Sequence, residues 1–183
     1  SEILDLLEDF SHNYYVAVEY GIESPSDVIL RHVNRGHDYA TAVQAVTATK
    51  ARNIDVGAHF ILGLPYETRE EILAQTATIN ALNLDFVKFH QLQIYQNTPM
   101  AEEWAQHKER FLFAKDFDVD SYVELMVDIV RRIAPTIAIE RFASQAPRHL
   151  IINSPLGGIR MDALKNKIVN RLTSLNATQG DLL

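Results

Sequence analysis

Hydrophobic positions along the chain follow two spacings. Four short runs rich in branched and aromatic residues stand apart: Tyr14–Tyr20 (YYVAVEY), Ile54–Leu62 (IDVGAHFIL), Phe86–Ile94 (FVKFHQLQI) and the shorter Thr136–Phe142 (TIAIERF). Runs of this length and composition predict strands. Helical spacing fills the intervals. After Ser121, the residues Tyr122, Leu125, Met126, Ile129, Val130 and Ile133 trace one apolar stripe, as a helix packed on a core requires. Glu2–Phe10 and Met161–Leu175 are further amphipathic helices. Start signals support these assignments. Ser24-Pro25-Ser26-Asp27 sets a capping Ser24 before a proline at the first helical position, and Thr68…Glu71 and Ser121…Glu124 have the spacing of capping boxes.

Strands that are mostly apolar and alternate with helices predict a parallel sheet covered by helices. Three or four βα units are fewer than the eight of a complete barrel. The expected fold is therefore α/β: a partial (half) βα barrel with parallel strands and outer helices, plus a C-terminal helical extension. The division falls between residues 1–95, the half-barrel, and 96–183, an extension packed on the same domain. Gln96–Asp120 reads as a loop-rich insert with one short helix after Thr98-Pro99, placed to act as a lid.

Composition narrows the function. In 183 residues, 47% are hydrophobic and 22% charged, which suits a folded globular chain. The net charge of −7 argues against broad nucleic-acid binding, which needs clustered Lys and Arg. No apolar run approaches membrane-spanning length and the acidic start is no signal peptide, so the expected location is cytoplasmic, with no membrane partner. The cysteine count is zero, which removes disulfides, thiol nucleophiles and thiolate metal ligands from this chain. Beginning at Ser1 in mid-pattern, it reads as an excised fragment.

Side chains alternate along a strand. Glu19, Gly21 and Glu23 therefore share one face, as do Gly57, His59, Ile61 and Gly63, and again Lys88, His90 and Leu92. Ionisable groups recur on one side of apolar strands, towards their C-terminal ends, where α/β folds gather ligands. The loop Gly63-Leu64-Pro65-Tyr66-Glu67-Thr68 joins a strand to a capped helix whose N-terminus favours an anionic or acceptor group.

At this point the motifs acquire a family likeness. VEYGIES (Val18–Ser24), LRHVNRGHD (Leu30–Asp38), HFILGLPYET (His59–Thr68), VKFH (Val87–His90), NTPM (Asn97–Met100), the helix YVELMVDIVRRI and the segment IERFASQAPR together resemble radical S-adenosylmethionine (radical SAM) enzymes. The nearest likeness is to bacterial radical SAM proteins labelled Fe–S oxidoreductases, with similarity to elongator-type and oxygen-independent coproporphyrinogen oxidase-type domains. The resemblance implies SAM and a 4Fe–4S cluster as cofactors, and reductive cleavage of SAM to a 5′-deoxyadenosyl radical. It implies that the cluster-binding cysteines lie on a missing N-terminal half-barrel, leaving this chain inactive by itself. By the same resemblance Glu23 binds the SAM ribose or amino-acid end, and Arg35 is a fork for its carboxylate or else a surface charge. Ile61, Gly63 and Pro65, with His59 in place of the motif's first glycine, hold the adenine. Glu67 falls one place late for the motif's glutamate and is assigned to helix capping. Glu19, Lys88 and His90 are candidate catalytic groups that face the substrate or line the core. The substrate itself, small molecule or RNA, is not read from the sequence.

Two other readings remain. His59 and His90 with Glu19 or Glu23 could ligate Zn²⁺ or Mn²⁺ on a hydrolytic barrel, or the chain could be a non-catalytic interaction module. The unpaired edge of the first strand predicts either a dimer through that edge or cover by the helix Glu2–Phe10.

Overall fold

The structure, a computed structural model, describes residues 1–114, 117–153 and 155–183. Its order is α1 (Glu2–Ser11), β1 (Ala17–Glu23), α2 (Asp27–His32), α3 (Tyr39–Lys50), β2 (Asp55–Leu62), α4 (Arg69–Ala81), β3 (Phe86–Gln91), α5 (Pro99–Gln106), α6 (Val119–Val130), β4 (Ala138–Arg141) and α7 (Met161–Ser174). The four strands form one sheet in the order β1-β2-β3-β4, each pair parallel. This is the expected partial βα barrel, with strands in sequential order.

The core explains why these segments fold as they do. Val56, Ala58, Phe60 and Leu62 of β2 alternate with Val87 and Phe89 of β3 on one buried face. Helices close it. Ile72, Thr76 and Ile79 of α4 and Tyr122, Leu125, Met126 and Ile129 of α6 are buried there. Tyr122 is fully enclosed, and its hydroxyl donates to the Phe142 carbonyl at 2.7 Å, so the buried oxygen is satisfied. One hydrophobic cluster runs from Ile22 to Ile168, joining both halves of the chain.

Three expectations need correction. β1 begins at Ala17, not Tyr14, because Tyr14 and Tyr15 have no strand partner and stand exposed. Helix α2 is capped by Ser26, which accepts from Ile29 N–H, while Ser24 turns inward and braces Ser26 N–H. Helix α6 starts earlier than Ser121. Asp118 caps it, accepting from Ser121 N–H at 2.8 Å, so Ser121…Glu124 is not a capping box. Thr68…Glu71 is one, with both reciprocal bonds present.

The Gln96–Asp120 insert, whose Lys115 and Asp116 lie outside the described residues, is docked and is not a loose lid. Phe111 and Phe113 are buried, and Phe113 lies against the Cα of Gly63. Glu103 of α5 receives His32 at 2.8 Å and Arg110 at 3.0 Å, tying the insert to the end of α2. Helix α1 buries no residue, leaving Ile3, Leu6 and Phe10 exposed, and its ion pairs run to Arg52 at the end of α3. Helix α1 therefore offers β1 no hydrophobic cover.

Candidate functional site

The strand register brings the sequence's polar positions together. Glu19 pairs in register with Gly57, Gly21 with His59, and His59 with Lys88; Ile61 pairs with His90. Glu19, His59, Lys88 and His90 thus stand on the sheet face opposite the helices. His59 Nε2 lies 2.5 Å from Glu19 Oε2, and Lys88 Nζ donates to both Glu19 oxygens at 2.6 Å. The His59 and His90 rings stack, 5.1 Å between centroids and 19° from parallel.

Electrostatics set the charge of each group. The Lys88 ammonium and then the His59 hydrogen bond hold the Glu19 carboxyl below its usual range. Burial, with His59, Arg141 and Lys88 close by, pushes His90 down to about 4, so its imidazole is neutral at pH 7. His90 Nε2 is buried without a hydrogen-bond partner among the described residues. A buried polar atom left alone in an otherwise satisfied cluster is a place for a ligand.

A second grouping sits at the C-terminal end of β1. The ladder slips between Gly21 and Glu23, and Glu23 adopts a left-handed φ of 69°. The slip re-aims its side chain, as bulges do. Arg35 Nη2 donates to the Gly21 carbonyl at 2.7 Å and lies 3.4 Å from Glu23 Oε1. A Cβ on residue 21 would stand 2.5 Å from Glu23 Oε1 and 2.8 Å from Arg35 Nη2. Glycine there lets carboxylate and guanidinium fold back over the strand. Burial raises the Glu23 carboxyl, and Arg35 opposes that shift.

Ile61 is half-buried on the open face, whereas Gly63 and Pro65 are buried in the turn after β2. Glu67 holds that turn. Its Oε2 accepts from Gly63 and Leu64 N–H, both at 2.9 Å, and its Oε1 accepts from Gln75 at 2.8 Å. Glu67 therefore braces the loop and does not cap a helix; Thr68 caps α4. Burial pushes its carboxyl up to about 7.

One participant was missed. Glu140 of β4 places Oε2 3.4 Å from Lys88 Nζ. Its signal was available, since it alternates with Ile139 in the fourth apolar run, whose strand is the shortest of the four.

Two profiles match the chain. Residues 1–74 match the Radical SAM superfamily and residues 84–174 match the Radical_SAM C-terminal domain. The chain belongs to the radical SAM superfamily. Among curated relatives, the YtqA protein of Bacillus subtilis (strain 168) is 26% identical over 98% of this chain and 54% of its own length. The YhcC protein of Escherichia coli (strain K12) is 26% identical over 82% of this chain and 47% of its own length. The chain spans about half the length of these relatives. The solved structure of the archaeal Elp3 of Methanocaldococcus infernus shares the fold, with a TM-score of 0.74 over 90% of this chain and 37% of that one, at 18% identity.

Radical SAM proteins use SAM and a 4Fe–4S cluster. The residues present fit the first and not the second. SAM carries hydroxyl, ammonium and carboxylate groups, and the carboxylate–guanidinium pair at Glu23 and Arg35 complements them. The cluster needs thiolates, and this chain has no cysteine. The metal-hydrolase ligand set does not assemble either. The His59 and His90 rings lie face to face instead of converging, and no group of three or more His, Cys, Asp or Glu among the described residues is placed to hold an ion. No described helix is long and apolar enough to cross a membrane.

Proposed function

We propose that this chain is the SAM- and substrate-facing part of a cytoplasmic radical SAM enzyme. In this reading residues 1–95 carry the cofactor-facing strands and 96–183 the extension that covers them. The cluster's thiolates come from polypeptide outside these 183 residues, because the chain holds no cysteine. A 4Fe–4S cluster held by those thiolates would supply the electron for reductive cleavage of bound SAM.

The observation that carries the reading is the Glu23–Arg35 pair folded over Gly21 at the C-terminal end of β1. Arg35 would receive the SAM carboxylate on its unused N–H groups, and Glu23 would accept from hydroxyl or ammonium. The tight Glu67-braced turn after β2 fixes Ile61 as an apolar wall for the adenine. Glu19, Lys88 and His90 then face the space where substrate enters. Lys88 and Glu19 hold a fixed ion pair there, and the neutral imidazole of His90 offers an unpartnered nitrogen to the bound molecule. An interior of this kind orients the substrate and excludes water from a radical.

The test is a calorimetric titration of SAM into the cluster-loaded whole protein. Glu23→Ala and Arg35→Ala should each weaken binding by roughly 1–3 kcal/mol, the range for a lost charged hydrogen bond. Unchanged SAM affinity in both variants would remove the site assignment.

A further inference from the structure

Beyond the charged cluster, a cavity of about 400 Å³ opens where β3 and β4 end. Its floor is polar. Gln91 and Ser144 exchange two hydrogen bonds, Gln91 Nε2 to Ser144 O at 2.7 Å and Ser144 N to Gln91 Oε1 at 2.9 Å. Gln93 Nε2 also donates to Ser144 O, at 3.1 Å, and Gln145 Nε2 donates to Ile159 O at 3.3 Å. A carbonyl can only accept, so these bonds fix both amides with their oxygens turned away from those carbonyls. Among the described residues neither Gln93 Oε1 nor Gln145 Oε1 has a donor. Asn153, by contrast, is fully engaged, bridging Ile94 N and Leu92 O.

The wall carries one charge. Arg148 is the only ionisable residue among the described residues lining the cavity, and no carboxylate pairs with it among them. Its Nη2 donates to the Gly157 carbonyl at 3.0 Å, which leaves the other guanidinium donors available. The sequence makes room for this pose. Gly158 has φ +79°, and a Cβ there would run into the Arg148 guanidinium. A chain of net charge −7 thus lines one cavity with an arginine, unpaired by acid among the described residues, and with two amides whose oxygens take no donor there. That pattern asks for an anion that also carries N–H or O–H donors.

We propose that this cavity binds a small-molecule carboxylate bearing amino or hydroxyl donors, with Arg148 on the carboxylate and Gln93 and Gln145 accepting from the donors. The inference deepens the reading above, taking from it only that a substrate docks at this end of the strands. Its test needs neither cluster nor SAM, so the two stand or fall separately.

The probe is L-glutamate, titrated into the 183-residue chain and followed by ligand-observed NMR, with glutamic acid diamide and inorganic phosphate as the other arms. Glutamate should bind and the diamide should not. Arg148→Gln should weaken glutamate roughly tenfold or more, the effect of a lost charged hydrogen bond, and Arg148→Lys should fall between. Lys167→Gln, on the far surface of α7, should leave it unchanged. Circular dichroism of each variant separates lost binding from lost fold. The proposal is overturned if no carboxylate binds, if the diamide binds equally, or if folded Arg148→Gln keeps wild-type affinity. Phosphate binding in place of glutamate would overturn the carboxylate assignment.

Discussion

On one face of the sheet, Val56, Ala58, Phe60 and Leu62 of β2 and Val87 and Phe89 of β3 are at most 2% exposed. On the other face, in the alternate positions of the same strands, stand His59 and Lys88, both bonded to Glu19 of β1, and His90, stacked on His59. Neighbouring residues of one strand thus meet opposite demands. The first set earns its stability by leaving water. The second is held by hydrogen bonds among half-exposed charges, a weak source of stability, and in return presents polar atoms to whatever fills the open side. Residues that add little to folding and still converge are residues available for binding.

The sharpest test of the contrast lies on the buried face. Phe60→Ala should cost about 3–5 kcal/mol in denaturant unfolding, because the cavity it leaves is walled by Phe89 and helices that cannot collapse into it. A loss under about 1 kcal/mol would mean that the helical face is not the structural one.

Next comes the hinge between the faces, the turn after β2. Glu67→Ala removes three hydrogen bonds from a buried site and should cost about 2–4 kcal/mol. Its signature is pH-dependent. Folding raises the Glu67 carboxyl from 4.5 to about 7, so its contribution is present below 4.5 and is lost as pH rises through 7. His90 acts in the opposite sense. Folding lowers it from 6.5 to about 4, so its contribution is present above 6.5 and is lost as pH falls through 4. Between about 4.5 and 6.5 the two should offset and wild-type stability should be nearly flat. Glu67→Gln unmasks His90: stability should then rise with pH across that window, with a slope below about 1.4 kcal/mol per unit, the limit for one proton. A flat profile in the variant would show that His90 is not desolvated.

Much of this was readable in advance, and the reasons differ by residue. The parallel sheet follows from apolar strands alternating with helices, and the shared face of Lys88 and His90 from strand alternation, whereas the register that sets His59 beside Lys88 is a property of the fold. Strand ends were less legible. The run through Tyr14 and Tyr15 has strand composition, but pairing and not propensity decides where a strand starts, and β2 offers no partner before Asp55. Helix starts failed similarly, since Ser26 and Asp118 compete with nearby Ser24 and Ser121 and only backbone geometry chooses among them. The docking of the insert depends on Phe113 meeting Gly63, 50 residues away, a contact that no local pattern announces. Glu140 lies in a strand of four residues, too short for alternation to mark its face clearly. Glu23 was marked by strand alternation and Arg35 by motif likeness alone; the left-handed turn that brings them together is a property of the fold.

The smallest expected effect sits on the open face and decides whether the contrast holds. Lys88 is 15% exposed and reaches Glu19 and Glu140, whose side chains are 38% and 47% exposed. Removing a lysine from a sealed interior would strand a carboxylate and cost several kcal/mol. Here water reaches both acids, so Lys88→Met should change unfolding stability by less than about 1 kcal/mol. The change should appear instead in titration. Lys88 is the largest influence holding the Glu19 carboxyl low. Its loss should move the Glu19 titration, followed by carboxyl NMR, upward toward its ordinary range. Because a depressed carboxyl stabilises above its unfolded value and loses that contribution as pH falls, the acid limb of the stability profile should also become shallower in the variant. If Lys88→Met destabilised the chain as much as Phe60→Ala, the charged face would be core, and its polar atoms would be spoken for before any ligand arrived.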